Sequence, residues 1–135
     1  MAGYTKALVF SYLMQDGSRF TDKAGWATMP FTEETKERDP RLAQTVLTQN
    51  TQYIDGTEGT FNFANTVTGY PMLKYISGPN FVNASTIDIP IYRMAEVYLN
   101  YAEAKAELGT LTQDDLDHSI NLIRDRVGMP HLDKS

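Results

Sequence analysis

The sequence contains no cysteine. That removes disulfide frameworks, thiolate metal sites, cysteine nucleophiles and any acylated or prenylated anchor within this stretch. Histidine is scarce as well: His118 and His131 stand alone, with no H-E-x-x-H and no EF-hand loop, so a surface or capping role is expected and no metal or cofactor is called for. No serine sits in a G-x-S-x-G elbow, and there is neither a P-loop nor a dinucleotide-binding glycine pattern. Twelve Lys and Arg against seventeen Asp and Glu leave a net charge of -5 with no basic run, which excludes nucleic acid as a partner. No stretch approaches the roughly 18 apolar residues of a membrane span, and the N-terminus lacks the basic, apolar, small-residue order of a signal peptide.

What is present is 135 residues, 41% of them apolar, enough for one modest domain or a piece of a larger one. Both ends are expected to be cuts through a longer protein, because Met1-Ala2-Gly3 has the look of an added start and Lys134-Ser135 follows directly on a helix. Thr5 is placed to cap a short helix carrying Leu8, Val9, Tyr12 and Leu13, ended by Asp16-Gly17. Arg19 to Phe31 reads as irregular chain, and Thr32 to Glu37 as a second short helix stopped by Pro40. Short strands are expected at Leu42–Thr48 and Tyr70–Ser77. Between them lies a Thr-, Asn-, Gln- and Gly-rich segment, and no Lys or Arg occurs from Leu42 to Leu73. It reads as a long surface loop, a class that is usually either functional or disordered.

Residues 91–129 are patterned differently from residues 1–90. Ile91, Met94, Tyr98, Tyr101, Ala102 and Leu108 recur every three or four positions, opposite Glu96, Asn100, Glu103 and Glu107, predicting an amphipathic helix ended by Gly109. Thr112 with Asp115 forms a capping-box pattern ahead of the stripe Leu116, Ile120, Ile123, Val127, and Gly128 and Pro130 end that second helix. Two helices of about 17 residues, each roughly 25 Å long and joined by a short loop, make an antiparallel hairpin. Two helices alone cannot bury both broad apolar sides, so further helices are expected against them, as in tetratricopeptide arrays. The match to the tetratricopeptide pattern itself is loose, with Lys105 where an aromatic is expected.

Arg93-Met94-Ala95-Glu96-Val97-Tyr98-Leu99-Asn100-Tyr101-Ala102-Glu103-Ala104 is followed by Gly109 and then by Ile120-Asn121-Leu122-Ile123-Arg124-Asp125-Arg126-Val127-Gly128-Met129. Upstream stand Ser11-Tyr12-Leu13-Met14-Gln15-Asp16-Gly17, Arg38-Asp39-Pro40-Arg41-Leu42, and Thr68-Gly69-Tyr70 with Lys74-Tyr75, and in this order the blocks closely resemble those of SusD/RagB proteins. The resemblance implies a mainly α, tetratricopeptide-like fold with long irregular loops and a few short strands. It implies a piece of an outer-membrane surface lipoprotein of Bacteroidetes, whose signal peptide and lipid anchor lie outside this stretch. Such a protein holds an oligosaccharide or polysaccharide for a SusC-like TonB-dependent transporter, and the remaining segments of the parent protein pack on this piece. The alternative is a helical-repeat scaffold for protein–protein contact without a sugar site of its own.

Sugars present apolar C–H faces ringed by hydroxyls, so their sites combine an aromatic platform with amide, hydroxyl and carboxylate groups. Trp26, Tyr53, Phe61, Phe63 and Tyr70, interleaved with Gln52, Asn62, Asn65 and Thr66, have that chemistry. The competing reading of each aromatic is that it pins a loop to the body of the protein. An enzyme is not expected. Glu96 and Glu103 share a helix face, but two turns set their backbones about 10.5 Å apart, beyond the roughly 5–5.5 Å of retaining glycosidases and the roughly 9.5 Å upper end for inverting ones. Asp114, Asp115 and Asp117 sit where a helix N-terminus favours negative charge. Arg124 and Arg126 are expected in ion pairs or hydrogen bonds to adjoining segments, with Glu96 or Glu103 as candidate partners.

Overall fold

In the computed structural model, which describes residues 3–49, 51–53, 56, 58–59, 62–74, 88 and 90–134, the chain divides into two compact units, Met1–Ile87 and Asp88–Ser135. The described residues are mainly helical, and none forms a sheet.

In the first unit the helices are short. Helix α1 spans Lys6–Ser11, opened by Thr5, whose hydroxyl accepts from the Leu8 amide at 3.3 Å. Its one fully buried residue is Val9. The second helix, α2, is a single turn, Phe31–Glu34, rather than Thr32–Glu37. It begins behind Pro30, whose fixed φ suits a helix entry, and stops before Glu37, held in the left-handed region at φ 54°. The next turn, α3, covers Pro40–Ala43, where a strand was expected to begin. Asp39 accepts from the Arg41 amide at 2.9 Å as an N-cap and Pro40 occupies the first helical position, the usual order for a start rather than a stop.

The two expected strands are reduced to single antiparallel bridges among the described residues. Tyr70–Leu73 forms a strap: Tyr4 N donates to Tyr70 O at 2.9 Å on one side, while Leu47 N donates to Pro71 O at 3.0 Å and Leu73 N to Thr45 O at 2.9 Å on the other. Pro71 has no N–H to give, so the ladder cannot lengthen through it. Residues 75–77 of the expected strand lie outside the described residues. Gly3 is built into the contact as well. A Cβ there would lie 2.2 Å from Thr68 Oγ1 and 2.3 Å from Thr66 Oγ1, so only glycine allows this approach. Around the strap Val9, Leu42, Val46 and Tyr70 form the buried core, with Tyr4, Phe10, Tyr12 and Phe31 packed on it.

The second unit contains α4, Met94–Glu107, ended by Gly109 at φ 67° as expected, although it starts at Met94 rather than just after Pro90. Of α4, only Ala102 is buried, and Ile91, Met94, Tyr101 and Leu108 of the expected apolar stripe are exposed. The second expected helix is two: α5, Gln113–Asp117, and α6, Ile120–Asp125. The break falls at His118 and Ser119, where the Ser119 hydroxyl donates to Asp115 O and the His118 ring meets Asp114 O at 2.9 Å. Side-chain bonds to carbonyls one turn back compete with the backbone ladder and bend or break helices. The capping box forms as read from the sequence: Asp115 N donates to Thr112 Oγ1 at 3.1 Å, and Thr112 N donates to Asp115 Oδ2 at 2.9 Å. Asn121, fully buried, ties the chain end back. Its amide group donates to Asp117 at 2.7 Å and to Leu132 O at 3.1 Å, and its carbonyl accepts from Leu132 N at 2.7 Å.

Candidate functional site

The segment Arg38-Asp39-Pro40-Arg41 organises the first unit. Arg38 is 5% exposed, and its guanidinium donates to Glu34 O at 2.7 Å, Val9 O at 2.9 Å and Tyr12 O at 2.8 Å. These carbonyls lie at the C-terminal ends of α2 and α1, where helices leave acceptors unpaired and the dipole favours a cation. One side chain therefore closes two helices. Burial draws the Arg38 pKa down, opposed by the charge of Glu34 first and of Asp39 less strongly. Asp39, besides capping α3, binds the Arg41 guanidinium, with Nε 2.9 Å from Oδ1. That bond raises the Arg41 pKa.

The aromatic candidates fall into separate groups. Gly25, at φ 75°, turns the chain into the 3-10 helix Trp26–Thr28. Trp26 is half-buried and stands edge-on to Phe10, with ring centroids 5.4 Å apart at 87°, and 6.5 Å from Phe20 at 73°. Phe10 and Phe20 lie 5.0 Å apart, with the Arg38 guanidinium 4.1 Å from the Phe20 centroid and Lys6 Nζ 5.0 Å from that of Phe10. This cluster is bounded by two cations.

Phe63 opens a 3-10 helix, Phe63–Asn65, capped by Asn62, whose side chain accepts from the Ala64 amide at 2.9 Å. It is 55% exposed and meets Phe31 edge-on at 5.5 Å. Phe31 in turn lies 5.9 Å from Tyr70, so Phe63 and Tyr70 share one aromatic neighbour. Tyr70 is buried in the core, with little ring surface for a ligand. Burial first, and then a hydrogen bond with Glu34, push its hydroxyl pKa well above the ordinary tyrosine value. Tyr53 is half-buried in a loop closed by the Gln52–Glu58 bridge and by Gly59 N donating to Thr51 O at 2.7 Å. Phe61 lies outside the described residues. The five aromatics therefore do not make one described surface. Trp26 and Phe63 are placed in capped or turned loops with accessible area, and Tyr70 packs on Phe31, the ring that Phe63 also meets.

Sequence reasoning missed Phe10 and Phe20, the rings that meet Trp26, and Arg38, which lies over Phe20. The available signal was the cluster of aromatics at positions 10, 20 and 26 around a chain with no regular structure of its own. A shallow hollow lined by Met14, Gln15, Asp16 and Glu37 has no aromatic among these lining residues. Asp16 there is held below the usual carboxylate range by the Ser18 hydroxyl and amide, at 2.6 and 2.9 Å.

In the second unit the expected pairing of Arg124 or Arg126 with Glu96 or Glu103 is not among the ion pairs of the described residues. Arg124 donates instead to Pro130 O. His118 and His131 pair with Asp114 and Asp125. Asp115 collects the Tyr101 hydroxyl, the Thr112 amide and hydroxyl, and Lys105 Nζ at 3.3 Å. These donors, led by Tyr101, hold its carboxyl far below the usual range.

Comparison with known proteins agrees over nearly the whole chain. Residues 2–135 match the sequence pattern of the SusD family. The chain is similar to a SusD-like protein from Bacteroides fragilis of known crystal structure, with a TM-score of 0.72 and 26% identity over 98% of this chain. It spans 30% of that protein's length. The likeness carries the fold class with it, mainly helical and tetratricopeptide-like with long irregular connections. Among curated proteins none matches the sequence.

Proposed function

The chain belongs to the SusD family, and from that premise we propose that it is part of a cell-surface protein that holds glycans during nutrient uptake and hands them to a SusC-like TonB-dependent transporter. The observation that carries this reading is the family match over residues 2–135. The chemistry of the first unit supports it. Trp26 and Phe63 offer ring surface in loops, and Asn62, Thr66 and Thr68 bring amide and hydroxyl groups next to Phe63 in the chain. An aromatic face against sugar C–H groups, with polar groups at its edge, is how a protein selects a sugar over water. Trp26, Tyr53, Phe61, Phe63 and Tyr70 are the proposed glycan-binding set. Within it Trp26 and Phe63 supply contact surface, and Tyr70 backs Phe31, the ring that Phe63 also meets.

The reading is of a binding protein anchored at the outer membrane, without catalysis. Calorimetry of the full-length protein against a panel of polysaccharides is expected to give saturable binding and no release of reducing sugar. Hydrolysis, or no binding to any polysaccharide, overturns it. The exposed apolar residues Met94, Val97 and Leu99 of α4, with Leu108 just after it, favour a second reading, a helical scaffold for another protein. A transporter that co-purifies with a protein unable to bind any glycan selects that reading instead.

A further inference from the structure

Trp26 lies in a three-residue 3-10 helix that no side chain caps, entered through a left-handed glycine. The bonds that hold this turn, Trp26 N to Lys23 O at 3.2 Å, Met29 N to Trp26 O at 3.4 Å and Thr28 Oγ1 to Gly25 O at 3.4 Å, fix the backbone and do not reach the indole. Its orientation is set from outside, by the edge-to-face contacts with Phe10 and Phe20, in which the positive rim of one ring meets the negative face of another. Phe20 is 1% exposed and is itself held by the Arg38 guanidinium stacked 4.1 Å from its centroid. Arg38 cannot shift without releasing the carbonyls of Val9, Tyr12 and Glu34. A continuous relay therefore runs from the ends of α1 and α2 through Arg38 and Phe20 to Trp26.

We infer that Arg38 is a positioning residue for glycan binding: it aims the Trp26 indole through Phe20 without touching the ligand. This rests on the glycan-holding reading above. Arg38 is buried because those three carbonyls need a donor, and its flat face is left to hold the Phe20 ring. A flat guanidinium can donate in its plane to three carbonyls while its face stacks on a ring, and a lysine ammonium cannot do both.

The test uses the full-length protein and a polysaccharide that the wild type binds. Phe20→Leu leaves the Arg38 hydrogen bonds in place and removes the relay ring, so it separates aim from folding. Arg38→Lys keeps the charge and removes the stacking plane. Trp26→Ala removes the platform, and Trp26→Phe supplies the fluorescence blank that isolates Trp26 emission. Trp26→Ala is expected to abolish most binding. Phe20→Leu and Arg38→Lys are expected to weaken affinity roughly two- to tenfold, the range that an aromatic pair contributes. Both should also shift Trp26 emission to longer wavelength and reduce its quenching by glycan. Wild-type affinity and unchanged emission in Phe20→Leu overturn the relay, and so does full affinity in Trp26→Ala. A wild type that binds no polysaccharide overturns the glycan-holding reading itself, and Trp26 emission that is unchanged in ligand-free Phe20→Leu overturns the relay separately. If Arg38→Lys fails to fold, Phe20→Leu decides alone.

Discussion

In residues 1–87 no described helix exceeds six residues, yet the unit has a core of Val9, Leu42, Val46 and Tyr70 under a layer of aromatic rings. In residues 88–135 one helix runs for fourteen residues and buries only Ala102. The second unit's other buried positions mix Leu116, Ile123 and Met129 with Asp115, Ser119 and Asn121. Regular secondary structure and tertiary fixation are thus distributed oppositely. The first unit has little backbone regularity and is pinned by long-range side-chain contacts. The second has strong local helix signals and is fastened by hydrogen-bonded polar groups, Asp115 to Tyr101 and Asn121 to Leu132 among them.

That contrast can be broken or sharpened by substitution. The largest effect is expected for Arg38→Met, which leaves three carbonyls without their charged donor and should cost on the order of 4 kcal/mol. A shift of the urea midpoint equivalent to under about 1 kcal/mol would mean that the first unit is not pinned there. Leu116→Ala, at the most buried leucine of the second unit, should cost about 3 kcal/mol in the same measurement, the usual range for a filled core position. A near-zero loss would mean that this unit has no apolar core of its own. Asn121→Ala removes three hydrogen bonds from a fully buried side chain and should cost about 2 kcal/mol. It should also speed hydrogen exchange at the Leu132 amide, which Asn121 accepts from, while amides of the first unit keep their protection.

The smallest effect at neutral pH is a slope. Because the folded pKa of Asp115 is lowered, its contribution is fully present above the ordinary carboxylate pKa of about 4 and is lost as pH falls below that toward the folded value. Thermal melts from pH 6 down to pH 2 should therefore show a shallower acid-side decline in Asp115→Asn than in the wild type. Parallel curves would remove Asp115 from the account.

Much of the second unit was legible in the sequence because its signals are local. The stop at Gly109 and the Thr112–Asp115 box each lie within a few residues of the backbone they control. The break at His118–Ser119 was not legible, since the apolar stripe Leu116, Ile120, Ile123, Val127 runs through it and only the side-chain bonds to Asp114 and Asp115 reveal it. In the first unit the Thr5 cap was readable for the same local reason. Asp39-Pro40 carried a start signal that a nearby stop signal masked, and the expected strands overlooked what Pro71 does to a ladder. The placement of Trp26 depends on Phe10, Phe20 and Arg38, which approach from 6 to 16 residues away, and no periodicity reports such contacts. The family blocks fared better, because an ordered set of residues carries the outcome of such contacts without displaying their geometry.

Pro71 has a bearing on how the chain behaves with copies of itself. The strap Tyr70–Leu73 is the most strand-like segment described, sitting between Gly3–Tyr4 and Thr45–Leu47. An uninterrupted strand in that place, loosened from its neighbours, would offer an incoming chain a full row of donors and acceptors, the template from which aggregates grow. The imide ring removes one donor from the middle of the row. The segment can therefore be paired within its own molecule and still make a poor seed for pairing between molecules.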